Sequence, residues 1–224
     1  DSLENALATA ESMMENGKSG EVATLVRQRL LSTMPEAPRP AYLLCEALIQ
    51  QGDFEVADLT ARKFMRRNSA SHHALYLVAM FHFFRDGKLD KPVDLLKGLL
   101  KGRERELKEI KEGKEKNKLI KKGSAHVETP SLYIKCNRLL QDIVKIDTLK
   151  KAADYNHLRK RYKDALGSIN KALSQCEGFS PASTAQIRST LLCSRAGIYI
   201  NLEQYTNAKN DLDSAINLKN NYLK

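Results

Sequence analysis

The sequence predicts an all-α protein built as a stack of helical hairpins, and three observations carry that expectation. A figure of one large and one small residue recurs at near-constant spacing along the 224 residues. Eleven Gly, six Pro and no Trp are too few turn formers for a sheet of many short strands. Hydrophobic residues make up 42% of the chain, enough for a packed core, and they come in short runs at helical spacing. No run approaches the ~20 apolar residues that span a bilayer.

The recurring figure is clearest at Gln51-Gly52-Asp53-Phe54, where Ala57 follows the aromatic by three residues. It returns as Gly87-Lys88-Leu89 then Pro92, as Lys160-Arg161-Tyr162 then Ala165, and as Glu203-Gln204-Tyr205 then Ala208. Gly20 precedes Ala23 in the same way, and Phe64, Ala172 and Ala215 stand seven residues beyond three of the small positions. The spacing is 34 from Gly20 to Phe54 and 35 from Phe54 to Leu89. From Tyr162 to Tyr205 it is 43, which is 34 plus a nine-residue loop. The large residue opening a second helix packs back on the first, and the small ones let the two backbones approach. One hairpin cannot cover its own apolar face, so neighbours stack.

This pattern resembles the tetratricopeptide repeat, which implies a right-handed superhelical solenoid. Residues 3–35, 39–71 and 73–103 make three units. Pro35 closes the first, Arg39-Pro40 opens the second, and Pro92 sits in a first helical turn where its missing N–H costs little. Leu99 to Lys122 continues as a charged helix, and Gly123-Ser124-Ala125-His126 with Pro130 marks a break. From Ser131 an amphipathic run through Leu132, Cys136, Leu139, Leu140, Ile143, Val144 and Leu149 feeds a fourth unit at 147–178. Glu177 to Pro181 is a loop, and 189–220 is the fifth unit. The expected organisation is a first cluster at 1–104, a charged helix and linker at 105–130, and a second cluster at 131–224. Asp1 in the place of Met suggests a fragment. The ending Asn221-Tyr222-Leu223-Lys224 reads as the start of another repeat helix.

The net charge is +10, and Lys97 to Lys122 holds eleven basic and five acidic residues, more than half of that excess. Pairs such as Glu104–Lys108 and Glu112–Lys116 suit a solvated helix. The alternative is a patch for nucleic acid, although no aromatic residue interrupts the run to stack on bases. Cys45, Cys136, Cys176 and Cys193 form no C-x-x-C, and the apolar helical patterns around Cys45, Cys136 and Cys193 fit buried free thiols in a reducing, cytoplasmic or nuclear compartment. The five His (His72, His73, His82, His126, His157) have no metal-ligand spacing, and no phosphate-binding or nucleophile motif occurs. Neither an enzyme nor a cofactor is expected.

The first helix of each pair lines the inner face of such a stack. In the third unit Leu77, Phe81 and Phe84 form one stripe, which is either repeat packing or an apolar groove for an unfolded client segment. Tyr76 and Phe83 on the other faces make this helix apolar nearly all round, as a helix with several buried neighbours is.

Three units, a charged interruption and two more led by Lys150-Lys151 resemble the J-domain co-chaperones of the DnaJ homolog subfamily C member 7 type. The segments that carry the likeness are Asp53-Phe54-Glu55-Val56-Ala57, Ala74-Leu75-Tyr76, Lys160 to Leu166, Leu192-Cys193-Ser194-Arg195 and Glu203-Gln204-Tyr205. The protein-kinase-inhibitor type of J protein in the endoplasmic reticulum is the competing resemblance. A J domain would then lie beyond Lys224. The resemblance implies a non-enzymatic co-chaperone that holds the acidic tails of heat-shock proteins 70 and 90 by a two-carboxylate clamp, with no membrane partner. That clamp takes a Lys and an Asn four residues apart, then an Asn in the next repeat. Lys150 falls on the first position, but Asp154 and Ser194 (before Arg195) stand where the two Asn belong, so the clamp is degraded. Lys150 is either a clamp cation or an ordinary exposed lysine, and Arg195 and Arg159 are further candidate cations. The alternative function is a general assembly scaffold, for example in an RNA-processing complex.

Overall fold

The computed structural model describes residues 2–33, 37–69, 71–111 and 130–222. Among them every regular element is helical, arranged as five hairpins of a tetratricopeptide-type solenoid. The first pairs α1 (Ser2–Glu15) with α2 (Ser19–Leu25), which runs through a π-helical turn, Val26–Leu30, into α3 (Leu31–Thr33). The second pairs α4 (Pro38–Gln51) with α5 (Phe54–Asn68). The third pairs α6 (His72–Met80), extended by a π-helical turn Phe81–Arg85, with α7 (Asp90–Lys111). Then come α8 (Pro130–Leu158) with α9 (Tyr162–Gln175), and α10 (Ala185–Asn201) with α11 (Tyr205–Tyr222). No helix among the described residues is long and apolar enough to cross a membrane.

The helices begin and end for local reasons. The Asp53 carboxylate accepts from the Val56 N–H and the Ser71 hydroxyl from the Ala74 N–H, capping α5 and α6. At Gly17 and Gly52, with φ of 73° and 79°, left-handed residues close α1 and α4. There the paired bonds Gly17 to Met14 and Lys18 to Met13, then Gly52 to Ile49 and Asp53 to Leu48, satisfy the last carbonyls. Lys160 and Glu203 do the same work at φ 59° and 58° without the freedom of glycine. Ala10, Ala57, Ala61, Ala165 and Ala172 are fully buried, and they bring neighbouring backbones close enough for Phe54, Phe64, Leu96 and Ile169 to interdigitate.

Two features go beyond the repeat pattern. Residues 104 and 105, where the first cluster is expected to end, lie inside the continuous α7. The expected continuation to Lys122 and the break at Gly123–Ser124 lie outside the described residues. The fifth unit starts at Ala185 rather than 189, because a Ser180-centred turn begins it early. The Ser180 hydroxyl accepts from the Ser183 N–H, and the Ser180 carbonyl accepts from the Thr184 N–H.

The second feature is α8, 29 residues long and so roughly 43 Å from end to end. Its first half buries Leu132, Cys136, Leu139, Ile143 and Ile146. Lys135 there ion-pairs with Glu46 of α4 at 2.8 Å, and the Tyr133 hydroxyl meets His72 Nδ1 of α6 at 2.6 Å. Arg103 of α7 stacks over the Tyr133 ring at 4.9 Å. The second half pairs with α9. Consequently the loop from α9 to α10 lands on the turns of the second and third hairpins. Phe179 sits edge-on to Phe83 and Phe84 at 5.7 and 5.5 Å, and the Ser180 hydroxyl donates to the Gln50 carbonyl.

Glycine is required at that landing. A Cβ on Gly52 would lie 2.9 Å from Ala182 Cβ and 3.1 Å from the Ala182 backbone, whereas one on Gly17 would meet nothing within 4 Å. Both substitutions carry the left-handed penalty of about 1–2 kcal/mol. Gly52→Ala is expected to destabilise measurably more than Gly17→Ala in denaturant unfolding, the excess being the clash with the loop. Equal losses would show that the loop does not seat there.

Candidate functional site

The second pair of hairpins carries the residues singled out for tail binding, and the helices hold them where side-chain chemistry, not backbone strain, sets their state. Lys150 and Asp154 stand one turn apart on α8, so their side chains meet. The Lys150 Nζ to Asp154 Oδ2 distance is 2.7 Å, with the lysine side chain 28% exposed. The lysine singled out as a candidate clamp cation is therefore matched by a carboxylate of its own helix. Ser194 on α10 turns inward to its own helix, its hydroxyl donating to the Thr190 carbonyl at 3.2 Å.

Arg195 is a structural tie. Its Nε and Nη2 donate to the two carboxylate oxygens of Asp211 on α11 at 2.7 and 2.6 Å, and Nη1 donates to Asn170 Oδ1 on α9 at 2.8 Å. The Asp211 bond raises the guanidinium pKa, keeping Arg195 charged. One side chain thus joins three helices across two hairpins. Arg159 stacks on Tyr155 at 4.6 Å.

Leu77, Phe81 and Phe84 are buried, with Phe84 against Phe83 and Phe179. The stripe packs against neighbouring elements and offers no open apolar groove, which corrects the groove reading of these three residues. The reason is that α6 and its π-helical turn are enclosed by α4, α7 and the arriving 179 loop.

What the surface does offer is an open depression of about 740 Å³ between α8 and α9, lined by Lys145, Thr148, Leu149, Asn170, Lys171, Ser174 and Gln175. Lys145 and Lys171 are exposed, and neither forms an ion pair among the described residues. Nearby the Gln175 amide donates to Asp142 at 3.3 Å, and burial raises the Asp142 carboxyl above its ordinary range. The signal for this site in the sequence is faint: a lysine on each of two facing helices, with small polar residues between. A smaller cleft, about 40 Å³, lies where Glu11, Arg39, Tyr42, His73 and Lys135 converge under the start of α8.

Cys45, Cys136 and Cys176 are buried, whereas Cys193 is exposed, which corrects the expectation of a buried thiol there, because it faces outward from α10. Burial pushes the Cys45 thiol up to about 12 and that of Cys176 up to about 11, so neither supplies a thiolate near neutral pH. Among the described residues no group of three His, Cys, Asp or Glu side chains could hold a metal ion. Of the basic stretch, Lys97, Lys101, Arg105 and Lys108 are exposed on α7, and residues 112–122 lie outside the described residues.

The tie at Arg195 is testable as structure. Arg195→Ala leaves the buried Asp211 carboxylate unmatched, and the expected loss is roughly 2–4 kcal/mol of unfolding free energy. Lys150→Ala, which breaks a surface pair, is expected to cost under about 1 kcal/mol. Denaturant melts of both variants check the contrast.

No protein-family model matches the chain. A Schizosaccharomyces pombe protein, the ER protein translocation subcomplex subunit sec67, is 29% identical over 126 residues. That match takes in 52% of this chain and 65% of the relative, so the chain spans less than two thirds of the relative's length. Among solved structures, the crystal structure of the P58(IPK) TPR domain superposes with a TM-score of 0.56 at 16% identity, over 99% of this chain and 52% of that one. At that identity the likeness establishes the fold: this chain is an all-helical solenoid of the tetratricopeptide type.

Proposed function

We propose that the protein is a non-enzymatic adaptor that holds an acidic peptide segment of a partner protein, a co-chaperone-type role in which the tail of heat-shock protein 70 or 90 is one such segment. A tetratricopeptide-type solenoid is a protein–protein interaction scaffold at the coarse level. The observation that supports the finer reading is the depression between α8 and α9, where two exposed lysines flank Leu149 and the polar groups of Thr148, Asn170 and Ser174. Ammonium groups at its rim attract carboxylates, amide and hydroxyl groups donate to a peptide backbone, and the leucine takes an aliphatic side chain. A second reading, membership of a protein-translocation complex, draws support from the sec67 relative. It uses the same scaffold and differs in the partner.

Calorimetry at low salt with an acidic chaperone-tail peptide tests the reading. Lys171→Glu is expected to weaken binding about tenfold, or about 1.4 kcal/mol, and added salt is expected to weaken it further. Asp154→Asn, which frees a Lys150 that does not line the depression, is expected to change binding there less than Lys171→Glu does. Absence of binding at low salt, or indifference to Lys171→Glu, rejects the site. Co-purification from cell extract separates the chaperone partner from a translocation partner.

A further inference from the structure

The turn ends of the fourth and fifth hairpins carry an unusual combination of side chains. Leu158, the last residue of α8, is 86% exposed, and Tyr155, Ile200 and Tyr205 beside the same two turns are 52%, 48% and 64% exposed. The turn after Leu158 reads Arg159, Lys160, Arg161, with Lys163 one residue beyond Tyr162, and all four cations are exposed. None of the four forms an ion pair among the described residues. Asp164 and Glu203 are the nearby acids in sequence.

These turns form one edge. The Asn201 amide lies 2.9 Å from His157 Nε2, the His157 ring meets Tyr162 edge-on at 5.8 Å, and the ring lies alongside Gly197 of α10. Lys160 at φ 59° turns the chain back sharply, so Leu158 and its flanking cations stand at the tip. Neither depression described above includes any of these residues, so the edge is a surface apart from both.

We propose that this edge is a peripheral docking surface for an anionic lipid bilayer. Leu158 and Ile200 would enter the headgroup boundary, Tyr155 and Tyr205 would sit at it with their hydroxyls in water, and Arg159, Lys160, Arg161 and Lys163 would meet lipid phosphates and carboxylates. Charge complementarity selects anionic over neutral lipid, and each cation near such a surface contributes about 1 kcal/mol. The surface is separate from the depression between α8 and α9, and it needs no membrane-spanning helix. The other exposed basic stripe, on α7, runs away from this edge. Asp90 at its start acts on Lys151, and Glu106 near its end faces His72.

Co-sedimentation of the whole chain with vesicles tests the proposal, comparing phosphatidylcholine alone with phosphatidylcholine and phosphatidylserine at about three to one. Binding to the anionic vesicles and little to the neutral ones is expected. Lys160→Gln and Arg161→Gln are each expected to weaken it about fivefold, the equivalent of about 1 kcal/mol per cation. Leu158→Asp is expected to weaken it at least as much, with the thermal midpoint by circular dichroism unchanged. Lys97→Gln with Lys101→Gln on α7 is expected to change it less than about twofold. No binding to anionic vesicles at low salt overturns the proposal, as does an equal loss from the α7 pair. Polyglutamate binding through Lys160 and Arg161 without vesicle binding would assign the edge to an acidic protein partner and also overturn it.

Discussion

A single rigid rod, α8, constrains the placement of everything after it. Its first half must keep Leu132, Cys136, Leu139, Ile143 and Ile146 in phase against the first three hairpins, while its second half serves as the opening helix of the fourth. An α-helix advances 1.5 Å and turns 100° per residue, so the phase set at Tyr133 dictates where α9 and its following loop emerge. That loop arrives on the turn at Gly52 through Ala182, and Gln186 in the first turn of α10 on the turn at Gly87. In a plain stack of hairpins such turns face solvent. Here they are a seat, and Phe179 against Phe83 and Phe84 fills it.

The polar groups under α8 serve register more than stability. An apolar stripe repeating every three to four residues could slide by one turn, about 5.4 Å, and still bury hydrocarbon. Glu46 is almost wholly buried, and Lys135 pairs with it there while the Tyr42 and Tyr76 rings stand close enough to feel its charge. A one-turn slip would leave that carboxylate unmatched in an apolar setting, which costs several kcal/mol. The bonds from Tyr133 to His72 and Arg103 act in the same sense. A buried pair that adds little net stability can still exclude the alternative placements.

The hairpins were legible because their spacing depends on residues close in sequence. Ala57, Ala165 and Ala208 each stand three residues after a large residue that opens a helix, and each helix found there follows from that local rule. The π-helical turns at Val26–Leu30 and Phe81–Arg85 were not legible, since one extra residue in a turn answers to packing from other hairpins. Leu77, Phe81 and Phe84 show the same limit. A helix apolar all round announces several neighbours, but the neighbour that closes over Phe84 is Phe179, almost a hundred residues later in the chain. Lys145 and Lys171 carried no motif and became a pair only through the antiparallel contact of α8 with α9.

Lys150 and Arg195 show how magnitude separates two cations that the sequence places alike. Both were candidates to meet a ligand carboxylate, and both meet one in their own chain. The Lys150–Asp154 pair is a partly exposed i,i+4 contact of a kind worth about 0.3–0.5 kcal/mol. A ligand carboxylate can compete with so weak a tie. Arg195 makes a two-pronged bond to Asp211, whose side chain is only 9% exposed, and a third bond to Asn170. Drawing it outward would strand a carboxylate and unlink three helices, a loss of several kcal/mol that a flexible peptide has little surplus to offset. Lys150 can therefore be recruited to a ligand, whereas Arg195 holds the platform on which a ligand would rest.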